Sequence, residues 1–155
     1  MPNINSAKAA EMASELQRAS RMGNLELVNE LIKQGVDVNA RQGLSDNNAL
    51  RIACEFCQVE VAKILIEHKA DPNIHIEDGV NRATMSPPLH MAAQKGPLEM
   101  VRLLVDAGAD PTVKVEGRKA KTIATEDAWA DVIRDCEVRW LAMKAEQEAK
   151  AANAP

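Results

Sequence analysis

Tyrosine is missing altogether, and one phenylalanine and two tryptophans are the only aromatic residues among 155. Any core this chain builds is therefore made of Ala, Leu, Val, Ile and Met rather than stacked rings. No apolar run approaches the ~18 residues of a membrane-spanning helix. The start, Met1-Pro2-Asn3-Ile4-Asn5, is polar and has no apolar segment behind it to serve as a secretory signal. Cysteine is scarce: three residues, an odd number without framework spacing, fit a reducing compartment better than a disulfide scaffold. Basic residues do not dominate either, since 19 Lys and Arg stand against 23 Asp and Glu for a formal charge of −4. Nucleic-acid binding favours a basic face and is disfavoured. The expected setting is intracellular and cytoplasmic, with the nucleus left open. Catalytic signatures are absent too: no G-x-S-x-G, H-E-x-x-H, phosphate-cradling glycine loop or paired-carboxylate arrangement occurs. The chain is expected not to be an enzyme, and to need no cofactor and no metal.

What is present is a repeating helical unit, clearest in residues 87–113. Pro87 and Pro88 preset φ for a first helical turn, Leu89, Met91 and Ala92 supply an apolar face, and Gly96 is expected to end the helix in the left-handed conformation. A second helix follows at once, with Leu98, Val101, Leu104 and Val105 at helical spacing and Gly108 as its stop before an Ala-Asp-Pro turn. Neither helix can bury its stripe alone.

This stretch resembles the ankyrin repeat, whose signature runs T-P-L-H-x-A-A-x-x-G and then a second helix ending L-L-x-x-G-A-D. Pro87 replaces the Thr, while Pro88, Leu89, His90, Ala92, Ala93, Gly96, Leu103, Leu104, Gly108, Ala109 and Asp110 all stand where the pattern wants them. The resemblance implies an all-α solenoid of helix-turn-helix repeats of about 33 residues each. Four such repeats are expected over residues 10–137, at about 10–40, 46–73, 86–113 and 117–137, after an N-terminal tail (1–9) and before a C-terminal helical extension with a frayed end (138–155).

In repeat one, Ser6 is the expected N-cap, Leu16, Ala19 and Gly23 match, and Gln17 takes the His place. Repeat two has Arg51 at the His place and lacks both glycines. Cys57 and Lys69 stand there instead, and a left-handed conformation costs a non-glycine residue about 1 kcal/mol, so this repeat is expected to be locally strained or to have irregular helix ends. The spacing Leu16 to Leu50 is 34, Leu50 to Leu89 is 39, and Leu89 to Lys121 is 32. Stacked helices cannot absorb an insertion, so the extra residues belong in the connection 74–86, a candidate contact element. Repeat four carries Lys121 at the buried Leu place, as a closing repeat with a polar outer side can. From Asp131 a longer capping helix is expected, with Val132, Cys136, Trp140 and Met143 on one face, fraying after about Glu148.

The resemblance places the groove-facing residues between the second Ala of each first helix and its closing Gly. They are Arg21 and Met22, Glu55 and Phe56, Gln94 and Lys95, Glu126 and Asp127. The second of these pairs holds the only Phe, and an exposed aromatic beside Met22 with charges around it has the composition of a binding hot spot. The alternative is that the long connection folds back and Ile74, Ile76 or Met85 covers Phe56. Finger tips add Arg41 and Leu44, then His75, Glu77 and Arg82, then Arg118. His90 is implied to be structural, bonding backbone between neighbouring repeats. Cys54-Glu55-Phe56-Cys57 has the C-x-x-C spacing of redox and zinc sites, but it lies in a helical repeat, and Cys136 is the only further Cys. Asn39 and Asn73 end exit turns at a place where the family implies asparagine hydroxylation.

The expected function is non-catalytic binding of a protein partner through the concave groove and finger loops, by a monomer. A four-repeat regulator similar to the small inhibitors of cyclin-dependent kinases is one alternative. A second is an assembly subunit that acts, or dimerises, through the C-terminal helix. The remote one is thiol or zinc chemistry at Cys54 and Cys57.

Overall fold

The computed structural model describes residues 4–41, 47–73, 86–115, 118–119 and 127–153. Within them the chain forms three helical hairpins: α1 (Ile4–Met22) with α2 (Leu25–Lys33), α3 (Ala49–Glu55) with α4 (Val59–Glu67), and α5 (Pro88–Lys95) with α6 (Leu98–Asp106). The first helix of each hairpin stacks on its neighbours, α3 lying between α1 and α5, and the second helices form an outer layer in which α4 packs on both α2 and α6. One continuous core runs through both layers, built from Leu16, Val28, Leu31, Leu50, Val61, Leu65, Leu89, Met100, Val101 and Leu104 with small Ala residues between them. Burying such a stripe against the next hairpin is what holds each unit, because helices this short are marginal alone.

Local chemistry starts and stops these helices. Asn24 caps α2 by accepting from the Leu27 N–H at 3.1 Å, and Asn48 caps α3 through the Arg51 N–H at 2.9 Å. Pro87 and Pro97 precede α5 and α6, where a missing N–H costs nothing. Ser6 is not a cap, since α1 already begins at Ile4 and runs through it.

One stop position differs from the sequence expectation. Gly96 is extended, with φ −84° and ψ 162°, rather than left-handed. Pro97 forces this, because a proline pushes the residue before it into the β region. Glycine is needed there for space instead: a Cβ would sit 2.9 Å from the Ala92 carbonyl oxygen and 3.0 Å from its Cα. In repeat two, Cys57 (φ 58°) and Lys69 (φ 67°) do adopt the left-handed conformation that Gly23 (φ 69°) and Gly108 (φ 86°) take elsewhere. The strain is confined to these residues, for α4 has the same nine-residue length as α2 and α6. Lys69→Gly is therefore expected to raise stability by about 1 kcal/mol, or a few degrees in thermal midpoint. An unchanged or lower midpoint in a calorimetric scan would show that the left-handed residue costs nothing here.

After α6 the chain forms a short hairpin, β1 (Lys114–Val115) pairing antiparallel with β2 (Arg118–Lys119), so the third finger is not purely loop. The last helix, α7 (Asp127–Ala152), begins four residues before the expected Asp131, passes residue 137 without a break and continues beyond Glu148. It packs on α6 through Ile133 and Cys136, both buried, with Val132 against the core and Trp140 half-buried. Met143, seven residues on from Cys136 along the same face, is exposed. The first helix expected for a fourth repeat, around residues 117–126, lies almost wholly outside the described residues, as does the connection 74–86, of which only Ser86 is described.

Candidate functional site

The groove residues sit where the three inner helices end. Arg21 and Met22 close α1, Glu55 closes α3 with Phe56 as its C-cap, and Gln94 and Lys95 close α5. The left-handed turn after α3 ties these ends together. Gln58 Nε2 donates to the Arg21 carbonyl at 3.1 Å, and the Cys57 thiol donates to the Lys95 carbonyl at 3.2 Å. Three helix termini from separate repeats are thus bonded side by side into one surface.

Phe56 is the centre of that surface and 43% of it is exposed, while Met22 beside the same row is 73% exposed. The Arg21 guanidinium stands 5.0 Å above the Phe56 ring, a cation–π contact worth about 0.5–1 kcal/mol at an exposed site. Glu55 is half-buried and engaged by Arg51 at 3.4 Å, whereas Gln94 and Lys95 are exposed. Sequence reasoning had not singled out Leu25, at the start of α2 and 38% exposed, which adds apolar area near the end of α1.

Of the remaining expected contacts, Arg41 is exposed and makes an interaction of its own. Leu44, His75, Glu77, Arg82 and Glu126 lie outside the described residues. Arg118 has its backbone in β2 and Asp127 opens α7, but their side chains are outside the described set. The structure therefore brings together Arg21, Met22, Glu55, Phe56, Gln94 and Lys95.

The His place is structural wherever its bonds are visible. Gln17 Nε2 donates to the Asn47 carbonyl, and Arg51 Nε donates to the Ser86 carbonyl at 3.0 Å. Asn47 and Ser86 each stand three residues before the next repeat's core Leu, so two different side chains make the same inter-repeat bond. His90, in the third repeat, is buried. Arg51 further donates to Asn47 Oδ1 at 2.7 Å, and its burial lowers its pKa from the ordinary value, opposed by the Glu55 carboxylate.

The C-x-x-C pair is split by its surroundings. Cys54 is fully buried in α3, and desolvation pushes its thiol pKa far up, with Cys57 adding to the shift. A thiol held protonated is a poor nucleophile and a poor ligand. Cys57 is exposed and bonded to the Lys95 carbonyl. Among the described residues no three His, Cys, Asp or Glu side chains converge as metal ligands, and no helix is long and apolar enough to cross a membrane.

This stacked hairpin geometry, with its groove and exit turns, coincides with the match of a family model for ankyrin repeats, three copies over residues 16–115. The chain belongs to the ankyrin-repeat family. Two of the three relatives that follow carry ankyrin repeats in their names. It is 36% identical over 43% of its length to 2% of the ankyrin repeat and KH domain-containing protein mask-1 of Caenorhabditis elegans. It is 33% identical over half its length to 15% of the BTB/POZ domain and ankyrin repeat-containing protein NBCL of Lotus japonicus. With the regulatory protein NPR6 of Arabidopsis thaliana it shares 38% identity over 36% of this chain and 12% of that one. The chain thus spans only a small fraction of each of these relatives. Ankyrin repeats are in general protein-interaction modules.

Proposed function

We propose that this chain binds a protein partner, without catalysis of its own, through the groove formed by the ends of α1, α3 and α5, with the finger loops alongside. The observation that carries this reading is Phe56: the only Phe of the chain, half-exposed beneath Arg21 on a turn bonded to both neighbouring repeats. An aromatic left in water has a cost that a partner's apolar side chain removes, and such residues dominate interface energies. The mechanism is preorganisation, since a surface already fixed by inter-repeat hydrogen bonds loses little conformational freedom on docking. A kinase-inhibitor-like regulator would use the same groove.

Phe56→Ala is expected to weaken partner binding by about 2 kcal/mol, some thirtyfold, with the melting temperature nearly unchanged. Capture from cell extract with wild type and with a Phe56→Ala, Lys95→Ala chain checks it, alongside thermal melts of both. A bound protein retained equally by both chains would remove the groove from consideration.

A second reading, assembly through α7, is favoured by Val138, Leu141 and Met143, all exposed beyond Glu137, the last buried residue of that helix. Light scattering separates the two readings. A monomer supports the groove, and a dimer lost on truncation after Cys136 supports the helix.

A further inference from the structure

Charge in the stack is sorted by layer. The inner helices α1, α3 and α5 carry five bases, Lys8, Arg18, Arg21, Arg51 and Lys95, against three acids, Glu11, Glu15 and Glu55. The outer helices α2, α4 and α6 carry three bases, Lys33, Lys63 and Arg102, against six acids, Glu26, Glu30, Glu60, Glu67, Glu99 and Asp106. In a chain of formal charge −4 the inner layer is thus net positive and the outer layer net negative.

Helix dipoles do not account for this. Bases favour the C-terminal end of any helix, and Arg21 and Lys95 do stand in last turns. The same rule would put bases at the ends of the outer helices, yet α4 ends on Glu67 and α6 on Asp106, with no base in either last turn. Around Phe56 the asymmetry sharpens. Glu55 is engaged by the buried Arg51, which leaves Arg21 and Lys95 as the charges the joined helix ends present to a visitor.

We infer that the partner of this groove is an acidic polypeptide segment carrying an apolar anchor: the anchor covers Phe56 and Met22, and carboxylates on either side meet Arg21 and Lys95. This rests on the groove reading above and adds the chemical class of what fills it. Apolar contact supplies most of the affinity, while the two exposed cations select the sign of the flanks and speed encounter. The negative outer layer repels the same segment, so the inner face is the one it meets.

The test is selection of a phage-displayed random 12-residue peptide library on the full chain, followed by binding of the enriched peptides, made synthetically with a fluorescent label. Enriched sequences are expected to be net acidic with at least one large aliphatic or aromatic residue. Their affinity should fall about tenfold on Arg21→Glu with Lys95→Glu, and should weaken as salt rises from 50 to 500 mM, because exposed charges are screened over about 8 Å at physiological ionic strength. Thermal melts confirm that the variant is folded, and Arg21→Gln with Lys95→Gln replaces it if the reversal destabilises the stack. Basic or neutral winners, no enrichment, or acidic winners indifferent to both variants overturn the inference. If such winners still lose affinity on Phe56→Ala, the groove reading survives without it. If Phe56→Ala also has no effect, the groove reading fails as well. A labelled oligothymidine that binds as tightly as the best peptide, and competes with it, would replace the acidic polypeptide with a nucleic-acid backbone.

Discussion

Leu50→Ala is expected to lower the unfolding free energy by about 4 kcal/mol, within the ~2–5 kcal/mol range for Leu→Ala in a packed core, and the thermal midpoint by on the order of 10 °C. Leu50 is fully buried and sits in α3, the inner helix that packs on both α1 and α5. Truncation there removes apolar contacts from a surface that two repeats share, and α3, flanked by the Gln17–Asn47 and Arg51–Ser86 bonds to its neighbours, has little room to shift into the void. In a solenoid, stability is the sum of repeat and interface contributions, so a central position weakens both flanking interfaces at once. Met22→Ala is the control: with most of its side chain in water, it should cost under about 0.5 kcal/mol. Urea titrations of both chains decide the matter, and a Leu50→Ala loss below about 1 kcal/mol would mean the core is looser than its burial implies.

Asn73→Ala should cost about 2–3 kcal/mol, a large loss for one amide, because the side chain ties one exit turn to the next. Asn73 Nδ2 donates to the Gly108 carbonyl at 2.9 Å, and its Oδ1 accepts from the Asp110 N–H at 2.6 Å, both bonds partly buried. Removing the amide leaves a carbonyl and an N–H without their partner where water has poor access. Asn39 makes the same two bonds one repeat earlier, to the Lys69 carbonyl at 3.1 Å and from the Asp71 N–H at 2.7 Å, but in an exposed setting. Asn39→Ala should therefore cost only about 1 kcal/mol, since water can substitute. Asn73→Asp is a sharper probe. It keeps the acceptor for Asp110 but puts a carboxylate oxygen against the Gly108 carbonyl, so it should destabilise nearly as much as Ala. Equal losses at Asn39 and Asn73 would show that burial does not set the difference. The ladder stops in the third repeat, where Thr112 holds the equivalent place and its hydroxyl turns back to Asp110 Oδ1 at 2.6 Å.

These bonds mark how far the sequence could be read. The repeat unit, its helices and its core leucines were legible because apolar spacing and helix stops are local properties, repeated with small changes at each turn of the pattern. The strained positions in repeat two were legible for the same reason: a missing glycine is visible by comparison with its neighbours. Gly96 was misread because the proline after it overrules the usual helix stop. The length of α7 was partly legible, for the chain has no Gly or Pro between Gly117 and Pro155 to end a helix. Of its inward face Val132, Cys136 and Trp140 were legible; Ile133 was not named, and Met143 is exposed, the buried residues of the helix stopping at Glu137.

Sequence alone thus determined the helical hairpin, the order of the repeats and the residues that would be buried, since each follows from spacing within a few turns of chain. Only the tertiary structure decided which exposed side chains meet. Arg21 above Phe56, the Cys57 thiol on the Lys95 carbonyl and the asparagine bridges all join residues 30 to 38 positions apart. The stacking of one hairpin on the next brings them together, and no pattern within a single repeat encodes that.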